Sequence, residues 1–330
     1  MKKVVVSSLI FLLIGTALGY GVGWEQQQKV LAGALDIIHP LRENNASYAF
    51  INPLLAYIIP SADQQDDFRV LKNQVVYLID SEKKRGSIQD ASVFFSDLNH
   101  GRWIGIGENN NYNPASILKV VIMTIYFKER EANPDILRSK LQYIDDIDRL
   151  IRQEAYGEKS KLEAGKLYAI EDLINAMIID SDNGATILLL ANINQRTLNE
   201  LYAVLGIENA EETMISPRAY SLFFRILYSA TYLSKSMSEQ ALSLLSKTTF
   251  REGIVAGLPE RTVVAHKFGE HIQPANGGIG HVELHDCGIV YTEKSPYFLC
   301  VMTKGKNIEP LKGVIKNISG LVYRNYKSTK

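Results

Sequence analysis

Hydrophobic positions change their period twice along the chain. From Asp63 to Lys84 apolar residues recur at helical spacing (Phe68, Leu71, Val75, Leu78, Ile79), which predicts an amphipathic helix. Ala91 to Leu98 and Arg102 to Ile106 read as strands around an Asn99-His100-Gly101 turn. A long helical middle follows. It holds a helix from Ser116 to about Glu131, an acidic amphipathic stretch from Gln142 to Glu154, and helices over Ile170–Ile179, Ala185–Ala191, Gln195–Leu205, Pro217–Leu233 and Ser238–Ser246. Near Thr262 the strand period returns. Thr262–Lys267 is β-branched and apolar, Gly277, Gly278 and Gly280 mark a loop, and His285–Tyr291 and Tyr297–Thr303 are strands joined by Thr292-Glu293-Lys294-Ser295. Ile308 to Arg324 closes the chain as a helix. Strands at both ends around a helical middle predict an α+β fold. One antiparallel sheet is built from both ends of the chain and flanked by helices, with an inserted all-helical lobe.

The N-terminus follows a different pattern. Met1-Lys2-Lys3 is basic, and Val4 to Val22 carries no charge, with Trp24 at its edge. A run of this length spans a bilayer. A cleaved signal peptide and an uncleaved anchor both fit residues 1–24, and the length of the run favours the anchor. Lys2 and Lys3 then hold the N-terminus inside, so the rest is extracytoplasmic, and is secreted if the segment is cleaved. Residues 25–62, broken by Pro40, Pro53 and Pro60, read as a juxtamembrane stalk or strap. Tyr48 to Leu55 is too apolar for a free linker, and packs on the domain or on the membrane surface. Residues 63–330 form the main domain.

Composition narrows the function. The 36 basic and 36 acidic residues cancel, leaving no electrostatic footprint for nucleic acid. Two cysteines exclude a disulfide scaffold and a four-cysteine zinc site. The chemistry centres on Asn113-Pro114-Ala115-Ser116-Ile117-Leu118-Lys119. On a helix Ser116 and Lys119 share a face. A lysine in a dry site loses its charge and accepts a serine proton. Alone the pair is weak evidence, because Ser81 and Lys84 repeat its spacing and a serine here also serves as a helix N-cap.

Three short motifs stand in order: Ser116-x-x-Lys119, Ser181-Asp182-Asn183 and Lys267-Phe268-Gly269. This set resembles the penicillin-recognising serine enzymes, the class A β-lactamases and penicillin-binding proteins. Ile174–Leu190, Ser216-Pro217-Arg218 and Asp286–Gly305 are similar to class A segments, and the resemblance covers Phe68 to Tyr323. It implies a serine hydrolase with no cofactor and no metal, acting on a β-lactam or a peptidoglycan-like peptide. Ser116 would attack the carbonyl, and Lys119 would take its proton, directly or through water. Ser181 would relay that proton to the leaving nitrogen. Asn183, Lys267 and Gly269 would bind substrate, with Lys267 supplying positive charge for a carboxylate. The backbone N–H groups of Ser116 and Glu270 would form the oxyanion hole.

Two departures from the family pattern matter. Phe268 stands where the family has Thr or Ser, and offers no donor to a substrate carboxylate. The stretch from Gly206 to Ser216 is too short for the family's loop, whose glutamate activates the hydrolytic water; Glu208, Glu211 and Glu212 there read as solvated charges. An acyl-enzyme would then form and persist. This leaves three readings: a β-lactamase, a D,D-peptidase-like or esterase acyl-enzyme, and a non-catalytic wall-binding module. His266, His271, His281, His285 and Cys287 lack a recognised metal-ligand spacing. If Glu293-Lys294 is a two-residue turn, Cys287 and Cys300 fall opposite each other, either as a disulfide or as two small buried residues.

Overall fold

In a computed structural model the described residues are 41–42, 48–56, 68–144, 147, 160–207, 214–275 and 278–328. Five antiparallel strands make the main sheet: β3 (Asp90–Asp97), β4 (Trp103–Ile106), β7 (Val264–Ala275), β8 (Gly278–Val290) and β9 (Tyr297–Gly305), in the order β4-β3-β9-β8-β7. The pairing of β3 with β9 joins the two ends of the chain, as the strand pattern predicts. Short ladders pair β1 (Leu41–Arg42) with β2 (Leu54–Ala56), and β5 (Lys140–Gln142) with β6 (Leu167–Ala169).

Alternation along the strands supplies both faces of the sheet. Val93, Phe95, Leu299 and Val301 face helices α1 (Arg69–Lys84) and α8 (Ile308–Ser328), which contribute Leu71, Val75, Leu311, Ile315 and Val322. Phe94, Cys287, Ile289, Phe298 and Cys300 face the helical middle. That middle is α2 (Lys119–Ala132), α3 (Ile170–Ile179), α4 (Asn183–Ala191), α5 (Gln195–Leu205), α6 (Pro217–Tyr228) and α7 (Lys235–Leu245). Ser216 caps α6 by accepting from Ala219 N, with Pro217 in the first turn, where its missing N–H costs nothing.

Several expected boundaries are corrected. α6 ends at Tyr228 rather than Leu233, and Ala230 two residues on has a left-handed φ of 48°. α7 begins at Lys235 rather than Ser238, because Ser234 caps it by accepting from Met237 N. Gln142 ends β5 rather than opening a helix; most of the stretch to Glu154 lies outside the described residues. The expected glycine-rich loop is a hairpin instead. Gly278 and Gly280 lie within β8, which pairs with β7 out to Ala275 across one irregularity at Gln273/Pro274. Gly278 pairs with Ala275, while Gly280 is the extra residue that the ladder skips at this irregularity. Gly277 lies outside the described residues.

Tyr48 to Leu54 packs on the domain. Asn52 N donates to Tyr228 O, Leu54 N to Ser229 O, and the Glu239 carboxylate accepts the N–H groups of Ala49, Phe50 and Ile51. The Val4–Val22 segment lies outside the described residues; among those described, no helix is long and apolar enough to cross a membrane.

The β8–β9 register puts Cys287 directly opposite Cys300, and a disulfide joins them. In the same row across the sheet lie Phe94, paired with Cys300, and Lys267, paired with Cys287. The disulfide is therefore one strand away from the third motif.

Candidate active site

Ser116 is not on an α-helix, as expected, but in a 3₁₀ turn over Ala115–Leu118 that runs into α2. Ala115 has a left-handed φ of 47°, and Ile117 N returns to Pro114 O at 3.1 Å. Tyr220 of α6, fully buried, donates its hydroxyl to Ile117 O at 2.9 Å and holds the far side of the turn. Ser116 stays partly exposed.

Lys119, 3% exposed, opens α2. Its Nζ lies 2.6 Å from Ser181 O, 3.0 Å from Ser181 Oγ and 2.8 Å from Asn183 Oδ1. Burial pulls its pKa down to about 7, against the opposing charge of Asp182. Nζ donates to all three oxygens, and loss of its proton would free a lone pair that can accept one. Among the described residues no hydrogen bond joins Ser116 to Lys119. The lysine is tied to the second motif instead.

That motif is built to hold such a contact. Ser181 has a left-handed φ of 58°. Asp182, buried, caps α4 by accepting from Ala185 N at 2.8 Å, and also takes Ser160 Oγ at 2.9 Å and Lys161 N at 3.0 Å. It anchors the turn while Ser181 and Asn183 face Lys119.

Lys267 and Gly269 enter from β7. Lys267 is fully buried, and its Nζ has no hydrogen-bond partner among the described residues. Burial first, and the Lys119 charge second, pull it well below its ordinary pKa, with Asp286 opposing. Burial thus disfavours the charged form expected of this residue. The Lys267 amine lies 4.3 Å from the centroid of the Phe268 ring, which stacks on Phe250 at 4.2 Å. A Cβ on Gly269 would stand 3.0 Å from Ser116 N, Ile117 N and Pro114 O, so the close approach of β7 to the Ser116 turn requires glycine here. Glu270, the other expected oxyanion donor, is the next residue on this edge strand.

The histidines do separate work. His266 Nδ1 bonds Asp286 Oδ1 at 2.7 Å, both buried, and by alternation they occupy the sheet face opposite Lys267. His285 bonds the carbonyl of Asn113. Glu208, Glu211 and Glu212 lie outside the described residues.

The profile of the β-lactamase enzyme family matches residues 71–326. The chain belongs to the β-lactamase enzyme family. No curated relative matches it. Among solved structures it is similar to a mutant of PBP-A in acyl-enzyme complex with penicillin G, at 22% identity and a TM-score of 0.65, over 78% of this chain and 96% of that one. It is also similar to a β-lactamase from Xanthomonas campestris, at 17% identity and TM-score 0.64, over 78% and 98% of the two chains. A class A β-lactamase from Mycobacterium abscessus matches at 18% and 0.62, over 78% and 100%. At these identities the likeness establishes the β-lactamase fold. Reading the motifs alone misses Tyr220, Glu283 and His285, which reach the Ser116 turn from more than 100 positions away and carry no local signal.

Proposed function

We propose that this β-lactamase-family protein is a membrane-anchored, extracytoplasmic serine hydrolase that is acylated on Ser116 by a β-lactam or a peptidoglycan-like amide. One observation carries the reading: Lys119, with a pKa near 7, sits one turn from Ser116 and within hydrogen-bond distance of the Ser181 hydroxyl. A neutral Lys119 takes the Ser116 proton, directly or through water, as Ser116 Oγ bonds the substrate carbonyl carbon. The N–H groups of Ser116 and Glu270 stabilise the oxyanion, a contribution of several kcal/mol in such sites. Lys119 returns the proton through Ser181 to the leaving nitrogen, and the C–N bond breaks. Asn183 holds the acyl side of the substrate. Lys267 faces a substrate carboxylate, and that adjacent anion favours its charged form against the burial that disfavours it.

Hydrolysis of the acyl-enzyme is the slow step in this reading. Only Gly206 to Ser216 separates α5 from α6, which leaves little chain for a residue that activates water. A mutant of PBP-A, of the same fold, forms an acyl-enzyme complex with penicillin G, which supports acylation here by analogy of fold.

Intact-protein mass spectrometry of the full chain with benzylpenicillin, beside Ser116→Ala, tests this. A lasting adduct of one drug mass, absent from the variant, is expected. Drug loss without adduct would mean rapid turnover and overturn the slow-deacylation step. Neither adduct nor drug loss would overturn acylation by β-lactams, and would move the reading to an ester or to a binding module.

A further inference from the structure

Three residues before Ser116, the backbone of Asn113 is held at both of its polar groups. Its N–H donates to Glu283 Oε2 at 3.0 Å, and its carbonyl accepts from His285 Nε2 at 2.9 Å. Both side chains come from β8. Two positions apart on a strand, they point to the same face. Glu283 is 4% exposed and His285 is fully buried.

The chemistry of each group follows from its partner. A carbonyl oxygen only accepts, so Nε2 of His285 carries the proton. Nδ1 is buried without a hydrogen-bond partner among the described residues. The Tyr112 ring packs edge-on against that imidazole at 5.4 Å. Around the Glu283 carboxylate stand His281 Nε2 at 3.5 Å, His285 Nε2 at 3.6 Å and Lys304 Nζ at 3.7 Å. Burial pushes the Glu283 carboxyl up, but His285, the Asn113 N–H and Lys304 together hold it below its ordinary pKa. At neutral pH an ionised carboxylate therefore accepts the Asn113 N–H, a stronger bond than a neutral acceptor makes.

The segment held in this way is strained. Ala115 occupies the left-handed region without being glycine, and its N–H is fixed by Asn113 Oδ1 at 2.9 Å. Such a residue costs about 1 kcal/mol or more, and persists only where its surroundings over-determine it. Asn113, which holds Ala115 N, is itself pinned by Glu283 and His285. Ser116 follows Ala115, so the direction of its Oγ depends on that conformation.

We propose that Glu283 and His285 are positioning residues: they clamp Asn113 so that the strained turn presents Ser116 to a bound acyl donor. The consequence for rate rests on the acyl-serine reading above; the clamping of the turn does not.

Two measurements on the full chain separate these. Adduct formation at several benzylpenicillin concentrations resolves the maximal acylation rate from the half-saturating concentration. Glu283→Ala lowers the maximal rate about tenfold or more and leaves the half-saturating concentration within about threefold. Glu283→Gln, which keeps an oxygen acceptor for the Asn113 N–H, restores most of the rate. Hydrogen exchange reads the clamp directly. Amides in residues 113–117 exchange about tenfold faster in Glu283→Ala and in His285→Ala, while those in 120–132 keep their protection. Unchanged exchange at 113–117 overturns the clamp, as does a rate loss that Gln leaves unrestored and that comes with faster exchange throughout α2. If the wild-type chain forms no adduct, acylation by this drug falls, and exchange alone decides the clamp.

Discussion

The backbone of Gly269 lies against the amide of Ser116, so close that a Cβ at 269 would stand 3.0 Å from that nitrogen. Three backbone atoms of the Ser116 turn share the contact, and none can swing aside as a flexible side chain would. Gly269→Ala is therefore expected to slow acylation of Ser116 about tenfold by displacing the turn by a few tenths of an ångström. Adduct formation followed by mass, with circular dichroism to establish that the fold is kept, checks this. A wild-type rate would mean that the turn yields freely.

The proposed role of Lys119 as proton acceptor predicts a pH-dependent acylation rate. With its pKa near 7, the neutral acceptor is scarce below that pH and complete above it, so acylation should rise through about pH 7 and then level. Lys119→Met should cost roughly a thousandfold at the plateau. A flat pH profile would assign the proton elsewhere. Stability follows the same group. The unfolded chain keeps this lysine protonated up to its ordinary 10.5 while the folded chain does not, so its contribution to unfolding free energy rises with pH between about 7 and 10.5. Denaturant titrations of wild type and Lys119→Met across that window should diverge.

Asp182 carries structural weight beneath the second motif. Asp182→Ala orphans Ala185 N, Ser160 Oγ and Lys161 N together, and is expected to cost about 2–3 kcal/mol of unfolding free energy. Asp182→Asn should recover much of it. Chemical denaturation measures both. The Ala variant should also acylate slowly, because Ser181 and Asn183 hang on this cap.

The Cys287–Cys300 bridge closes a short hairpin, with a sequence separation of 13. Replacing both cysteines with alanine should remove about 3 kcal/mol of stability by freeing the unfolded chain. Urea unfolding of the double variant beside the oxidised wild type tests this. A change below about 1 kcal/mol would rule out that entropic role.

Much of this arrangement is legible in the sequence because it is periodic or local. The apolar, strand-forming runs Ala91–Leu98 and Tyr297–Thr303 predict a sheet joining the two ends, and the register that pairs Cys287 with Cys300 follows from one turn. The Ser216-Pro217 cap is readable residue by residue. Backbone conformation at the site is not. Ala115 and Ser181 adopt left-handed φ without the glycine or asparagine that usually announces it, because tertiary contacts impose it. Gly278 and Gly280 mislead in the opposite direction, reading as a loop while lying within β8. Lys119 shows the limit of motif spacing. Its neighbour in sequence is Ser116, yet its bonds go to Ser181 and Asn183, more than 60 positions on.

The pairing of β3 with β9 also sets a clock on the protein's making. Asp90 finds its partner in Lys304, roughly 200 residues later, and ribosomes add about 5–20 residues each second. For some 10–40 seconds Val93, Phe94 and Phe95 are exposed on a strand whose central neighbour has not yet been synthesised. Over that interval the nascent chain's risk of aggregation is set by the pace of translation rather than by the stability of the finished sheet.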